Sequence, residues 1–309
     1  MTHLWKLLPL DKMSRKLFLT LSGGLGNQLH TLAAGYVLSK LNNRNLVLLL
    51  PQTSAPDSLR KNEKDVTAFD IHDLPDVAVS TLSRKGGAKQ RLKRVILRGV
   101  SATSKRLFSR VHLRTIDINT ESHDLEITIK DPLFMEDHYE NAYFPARARE
   151  LSFPAKLNLV TKSREFLDLE QSIMNPSRRT IIGVHIRLGD FRTWNGGSYL
   201  LETSYYLENL RSISRQFPNS QVWVFSDEPE EAATMLGSEF ELMEISKDYD
   251  LSNAEELVLL SRTDAILASR STFSWWACFW KEGQSNIWYP DTALCLAGWT
   301  YSLRTYGAT

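Results

Sequence analysis

Two cysteines, Cys278 and Cys295, are all the thiols in 309 residues. That excludes a disulfide scaffold and fits a reducing compartment. The seven histidines are scattered and suggest no zinc cluster. Fifteen glycines and eleven prolines are too few for a collagenous or low-complexity chain. Long apolar runs are missing too: the longest, Leu46–Pro51, is far short of the ~20 residues that a spanning helix needs. Leu4, Leu7, Leu8 and Leu10 near the start are interrupted by Pro9 and Asp11, with no A-x-A cleavage pattern, so a ragged terminus of an intracellular protein is expected. No excess of one charge exists either. Thirty-seven Lys/Arg face 36 Asp/Glu, which argues against a wholly basic nucleic-acid binder.

What remains is globular: 42% hydrophobic and 10% aromatic residues, in a length suited to about two domains of roughly 100–200 residues. The even balance hides local bias. Arg84 to Arg114 holds eleven bases and no acid; Asp227 to Glu256 holds eleven acids and one base, Lys247. Within the basic stretch, Leu92, Val95, Ile96, Val100, Leu107 and Val111 follow a rough helical stripe. Peripheral contact with anionic membrane through 84–114, an anionic ligand, or a solvated helix answering the acidic half are the three readings.

Lys16–Leu21 reads as a strand, Ser22–Asn27 as a Gly-rich turn, Gln28–Leu41 as a helix and Asn45–Leu50 as a second strand: a βαβ unit with parallel strands. From Thr53 to Asp131 the pattern blurs. A helix near Thr161–Ser172 precedes Asn175-Pro-Ser-Arg-Arg179, a candidate linker. Strands are then expected at Thr180–Ile186, Gln221–Phe225, Glu239–Met243, Ala265–Ala268 and Asn286–Tyr289. The helices between them are near Ser204–Gln216, after Pro229, at Asn253–Ser261 and at Thr272–Lys281, with a long loop from the first strand to about Leu200. This alternation predicts doubly wound parallel sheets. The expected division is 1–174, an N-terminal Rossmann-like domain, and 175–309, a C-terminal one.

Ligands of open α/β sheets bind outside the carboxyl ends of the strands. There the second half places His185, Arg187 and Asp190, then Asp227, then Arg270, Ser271, Thr272 and Phe273 at a helix start. A helix N-terminus and an Arg fork both suit phosphate, so the group suggests a diphosphate, with Asp227 free to accept from a base N–H. Each part has an ordinary alternative: a strand-end structural histidine, an Arg187–Asp190 ion pair, a plain N-cap at Ser271. Gly24-Leu25-Gly26 lacks the third glycine of G-x-G-x-x-G, where Leu29 stands, and any Walker lysine. These glycines with Asn27 can still form one wall of a site. Asp248-Tyr249-Asp250 resembles a metal-binding D-x-D, and Trp275-Trp276 is either a sugar platform or core.

Ser22-Gly-Gly-Leu-Gly-Asn-Gln28, Val184-His-Ile-Arg-Leu-Gly-Asp190, Phe225-Ser-Asp227, Glu256-Leu-Val-Leu-Leu-Ser261 and Ser271-Thr-Phe-Ser-Trp-Trp276 occur in this order. Together they resemble glycosyltransferase family 11, the α-1,2-fucosyltransferases, over about Phe18 to Pro290, with Thr53 to Phe144 matched only by position. The resemblance implies an α/β, GT-B-like fold: two Rossmann-type parallel-sheet domains facing across a cleft, 1–174 the acceptor-side domain and 175–309 the donor-binding domain. It implies GDP-fucose as donor, a galactose-containing glycan as acceptor, inversion, and no metal or other cofactor. Such an enzyme would be cytoplasmic, on the inner face of the membrane where 84–114 binds it. Carried over, Arg187 meets the donor phosphates, His185 and Asp227 lie at the nucleoside, and Ser271, Thr272 and Phe273 line the diphosphate. The donor group then comprises these residues with Gly24, Gly26, Asn27 and Arg270. The chain departs from the family pattern at Leu188, where a second Arg is usual, and at Arg270, where Asn is usual. His30 replaces a usual aromatic. Arg270 is expected to restore the charge missing at Leu188. Asp190 and then His30 are the candidate bases beside Arg187 in the catalytic group. Transfer of another nucleotide sugar, and a non-catalytic nucleotide-sugar or glycan binder, are the rival readings.

Overall fold

The fold was analysed in a computed structural model, which describes residues 16–21, 23–51, 66–72, 74–82, 133–135, 143–154, 156–281 and 285–290. The basic stretch 84–114, Ser22 and Cys295 lie outside these residues. Among the described residues no helix is long and apolar enough to cross a membrane.

The first unit, Met1–Pro154, contains β1 (Lys16–Thr20), α1 (Leu25–Leu41), β2 (Asn45–Pro51), β3 (Val77–Leu82), β4 (Leu133–Met135) and α2 (Tyr143–Glu150). Its strands are parallel in the order β3-β2-β1-β4. The strands β3 and β4 and the helix α2 are additions to the sequence reading, and β4 lies just past the blurred stretch. α1 begins at Leu25, ahead of the expected Gln28, because Gly24 takes the extended N-cap conformation and offers no side-chain cap. Gln28 is buried and acts as a clamp. Its Nε2 donates to the Gly23 carbonyl (2.8 Å) and its Oε1 accepts from Val66 N–H (3.1 Å). Gly23, at φ 77°, supplies the left-handed residue that the turn needs.

The second unit, Ala155–Thr309, runs α3 (Arg164–Met174), β5 (Ile181–Ile186), α4 (Thr203–Gln216), β6 (Gln221–Ser226), α5 (Pro229–Leu236), β7 (Leu242–Glu244), α6 (Ile245–Asp248), α7 (Asn253–Arg262), β8 (Ala265–Leu267), α8 (Thr272–Trp280) and β9 (Ile287–Trp288). The expected long loop after β5 contains two 3-10 turns, Asp190–Arg192 and Trp194–Gly197. All strand pairs are parallel, in the order β7-β6-β5-β8-β9. Every residue of β5 is buried, as expected for a central parallel strand covered on both faces. Gly183 allows close packing there: a Cβ would lie 2.7 Å from side-chain atoms of Leu260 and Thr263. Both units thus have the Rossmann-type parallel α/β architecture.

The boundary differs from the expected 174/175. The division falls between Pro154 and Ala155, which puts α3 in the second unit. Phe166, Leu169 and Ile173 form its buried face. Ser163 N–H at its N-cap donates to Glu255 Oε1 of α7 (2.6 Å), and Glu170 pairs with Arg262. Burial pushes the Glu255 carboxyl up, but donors from Ser163 and Ser252 outweigh this and hold it below the usual carboxylate range. The Asn175–Arg179 segment therefore lies inside the unit, with a turn at Pro176 and Ser177. Its Arg178 makes a forked pair with Asp264, which also accepts from Ile181 N–H (2.7 Å) and so anchors the start of β5.

Candidate functional site

In the order β7-β6-β5-β8-β9 the strand sequence reverses between β5 and β8, the topological switch point of an open sheet. The residues leaving these strands form one side-chain system. His185, the penultimate residue of β5, is buried. Its Nδ1 lies 2.8 Å from Ser269 Oγ, just after β8. Its ring stacks on Phe273 in the first turn of α8, with centroids 4.9 Å apart. Burial, and then the Arg187 charge, lower its pKa to about 3, so the ring is neutral. Ser274 Oγ donates within the same turn, with Ser269 O at 3.0 Å and Ser269 Oγ at 3.3 Å. Ser271 caps α8, its Oγ accepting from Phe273 N–H (3.2 Å). The helix start that would receive an anion is thus braced from β5 through His185. Ser269 and Ser274 were missed as site residues; the run Ser269-Arg-Ser-Thr-Phe-Ser274 directly after an apolar strand was the available signal.

Arg187 is one-third exposed and paired twice. Its Nε lies 3.0 Å from Asp190 Oδ1 and 3.3 Å from Asp227 Oδ2. Asp227 Oδ1 accepts from Leu188 N–H (3.0 Å). Asp227, expected from sequence to accept from a base N–H, already holds these two partners. Both its oxygens are engaged, and it orients the strand end and the guanidinium. The Asp190 pair is different. It is solvent-exposed, of the kind worth about 0–1 kcal/mol, and readily exchanged for a phosphate.

Two expectations are overturned. Leu188 does not stand where a phosphate could reach: it is 3% exposed and packed in the core with Ile186, Leu201 and Tyr206. Residues alternate at the end of β5, so Arg187 faces out where Leu188 faces in. Arg270 consequently has no missing charge to replace. Its Nη1 donates to the Ser198 carbonyl (2.6 Å), tying the loop after β5 to the start of α8. Its Nε is buried with no hydrogen-bond partner among the described residues. His30 is the second correction. It is fully buried in α1, and desolvation lowers its pKa to about 3, so the ring is a weak base that solvent does not reach. Gly24, Gly26 and Asn27 all lie at the start of α1 in the first unit, with Asn27 O accepting from Thr31 Oγ1 (2.8 Å). Thr272 is the first residue of α8. Trp275 and Trp276 are core residues, at 0% and 1% exposure. Asp248 and Asp250 are exposed, and among the described residues no cluster of three metal-ligating groups forms.

Gly189 gives a local test. A Cβ there would lie 2.5 Å from Asp227 Oδ2. Gly189→Ala should displace that carboxylate, loosen Arg187, and lower turnover about tenfold or more with little loss of stability. Steady-state kinetics beside a thermal melt checks this; unchanged kinetics would show that Asp227 does not orient the site.

A braced helix N-terminus and two guanidinium groups thus stand at the switch point of a parallel sheet, where open α/β proteins bind their ligands. Comparison with known proteins makes the class specific. The family model for glycosyl transferase family 11 matches residues 111–292, and the chain belongs to that family. An O-antigen biosynthesis glycosyltransferase, WbnK of Escherichia coli, is 23% identical over 86% of this chain and 91% of its own length. An alpha-1,2-colitosyltransferase of Escherichia coli is 24% identical over 88% and 90%. Among solved structures, the fucosyltransferase NodZ from Bradyrhizobium aligns with a TM-score of 0.48, at 16% identity over 85% of this chain and 92% of that one.

Proposed function

We propose that this glycosyltransferase moves L-fucose from GDP-fucose to a hydroxyl of a galactose-containing glycan, forming an α-1,2 link with inversion and without a metal. The observation that carries the reading is the meeting of Arg187 and the α8 N-terminus at the β5/β8 switch point. In the reaction the acceptor oxygen bonds to the anomeric carbon as the bond from that carbon to the diphosphate breaks. The acceptor proton passes to a base and GDP departs. Arg187 and the helix N–H groups stabilise the charge growing on GDP. Asp190, exposed beside Arg187, is the candidate base; its pairing with Arg187 also gives it an orienting role.

The relative named for colitose favours a second donor reading, transfer of colitose from its GDP form. Comparing GDP-fucose, GDP-colitose and GDP-mannose separates the readings. The donor should be hydrolysed slowly without acceptor and, at 100 times its Kd, should stabilise the protein by about 2.7 kcal/mol. Hydrolysis should persist in EDTA. Binding without any GDP release would favour a non-catalytic binder, and loss in EDTA with recovery on Mn²⁺ would return attention to Asp248 and Asp250.

A further inference from the structure

We propose that Trp194, backed by Tyr199, is a stacking platform for a sugar ring of the acceptor glycan. The inference rests on the transferase reading above. Trp194 is 48% exposed, whereas Trp223, Trp275, Trp276 and Trp280 are buried. Its indole stacks on Tyr199 with centroids 4.9 Å apart and planes 17° apart. Phe191 lies 5.9 Å from Trp194 and 5.7 Å from Tyr199. A ring covering the far face of the indole would stand roughly twice a stacking distance from Tyr199, so Phe191 sits beside the pair and leaves that face uncovered.

The loop holds this surface in place before any ligand arrives. Asn195, Gly196 and Gly197 all have left-handed φ values, 49°, 66° and 79°. Asn195 Nδ2 donates to Ser198 Oγ (2.9 Å), and Arg270 grips the Ser198 carbonyl. Preorganisation of this kind lowers the ordering cost of binding. The place is also right for the second substrate. The Arg187 guanidinium lies 5.9 Å from the Phe191 ring, so Phe191 bridges the phosphate-facing cation to the platform. A flat apolar face on a loop that also exposes the polar groups of Asp190, Thr193 and Asn195 suits a pyranose. Galactose presents a patch of C–H groups on one face and hydroxyls around its rim.

The experiment uses the full chain with lactose as acceptor probe and GDP-fucose as donor. Trp194→Ala should raise the KM for lactose at least tenfold, lower kcat by much less, and move the KM for GDP-fucose less than twofold. Lactose should also change the tryptophan emission of the wild-type protein, and Trp194→Phe should remove most of that change. An unchanged lactose KM, a rise confined to the GDP-fucose KM, or equal emission changes in wild type and Trp194→Phe would each overturn the platform. So would a wild-type protein whose emission ignores lactose. A wild-type protein that responds to lactose through Trp194 but releases no GDP from GDP-fucose sustains the platform and defeats the fucose-transfer reading.

Discussion

Arg187→Ala should lower kcat on the order of 10²–10³-fold, the usual effect of removing one donor aimed at developing charge. The guanidinium sits one-third exposed at the end of β5, oriented by Asp227 from one side and loosely held by Asp190 from the other. Its interaction with the diphosphate should strengthen as the bond to the anomeric carbon breaks, so turnover should suffer more than donor binding. Arg187→Lys should rescue poorly, because an ammonium cannot match two carboxylates and a phosphate at once in the way a planar fork can. Donor Kd measured beside single-turnover rates checks the split. A near-normal kcat in Arg187→Ala would reduce Arg187 to an ion-pair partner and remove it from the catalytic group.

Leu188→Arg, the change toward the usual family pattern, should cripple the fold and restore nothing. The side chain is buried in the core of the second unit. An unpaired charge there costs about 3–5 kcal/mol, a fall in Tm of roughly 10 °C or more for a unit of this size. Leu188→Met should cost less than about 1.5 kcal/mol. Adding Arg270→Asn to Leu188→Arg should lose the Ser198 latch as well, so the double variant should be less active than either single one. Thermal melts and GDP titrations decide the matter. A double variant with wild-type Tm and stronger GDP binding would reinstate the idea that Arg270 compensates for Leu188.

The sequence by itself determined the βαβ start and the alternating second unit. Central parallel strands are covered on both faces, so β5, β6 and β8 are short apolar runs that stand out between amphipathic helices. Capping residues marked helix starts where a side chain does the capping, as Ser271 and Ser252 do. Gly24 caps α1 with backbone alone, which is why that helix began earlier than expected. The residue types of the site were also readable, because the ends of parallel strands fall where the apolar runs stop.

Partner choice was decided only by the tertiary structure. No local pattern says that Asp227 is committed to Leu188 N–H and Arg187, or that Arg270 turns to the Ser198 carbonyl, since these contacts join segments far apart in the chain. The same holds for α3. Its Asn-Pro-Ser exit looks like a linker, yet its apolar face and its N-cap find their partners on α7, and that places the helix in the second unit. His30 and Leu188 carry the same lesson. Each stands inside a motif that the family resemblance places at the ligand, but helix and strand periodicity turn the next side chain into the core. There the cost of desolvating a charge leaves the imidazole neutral and reserves position 188 for an apolar residue.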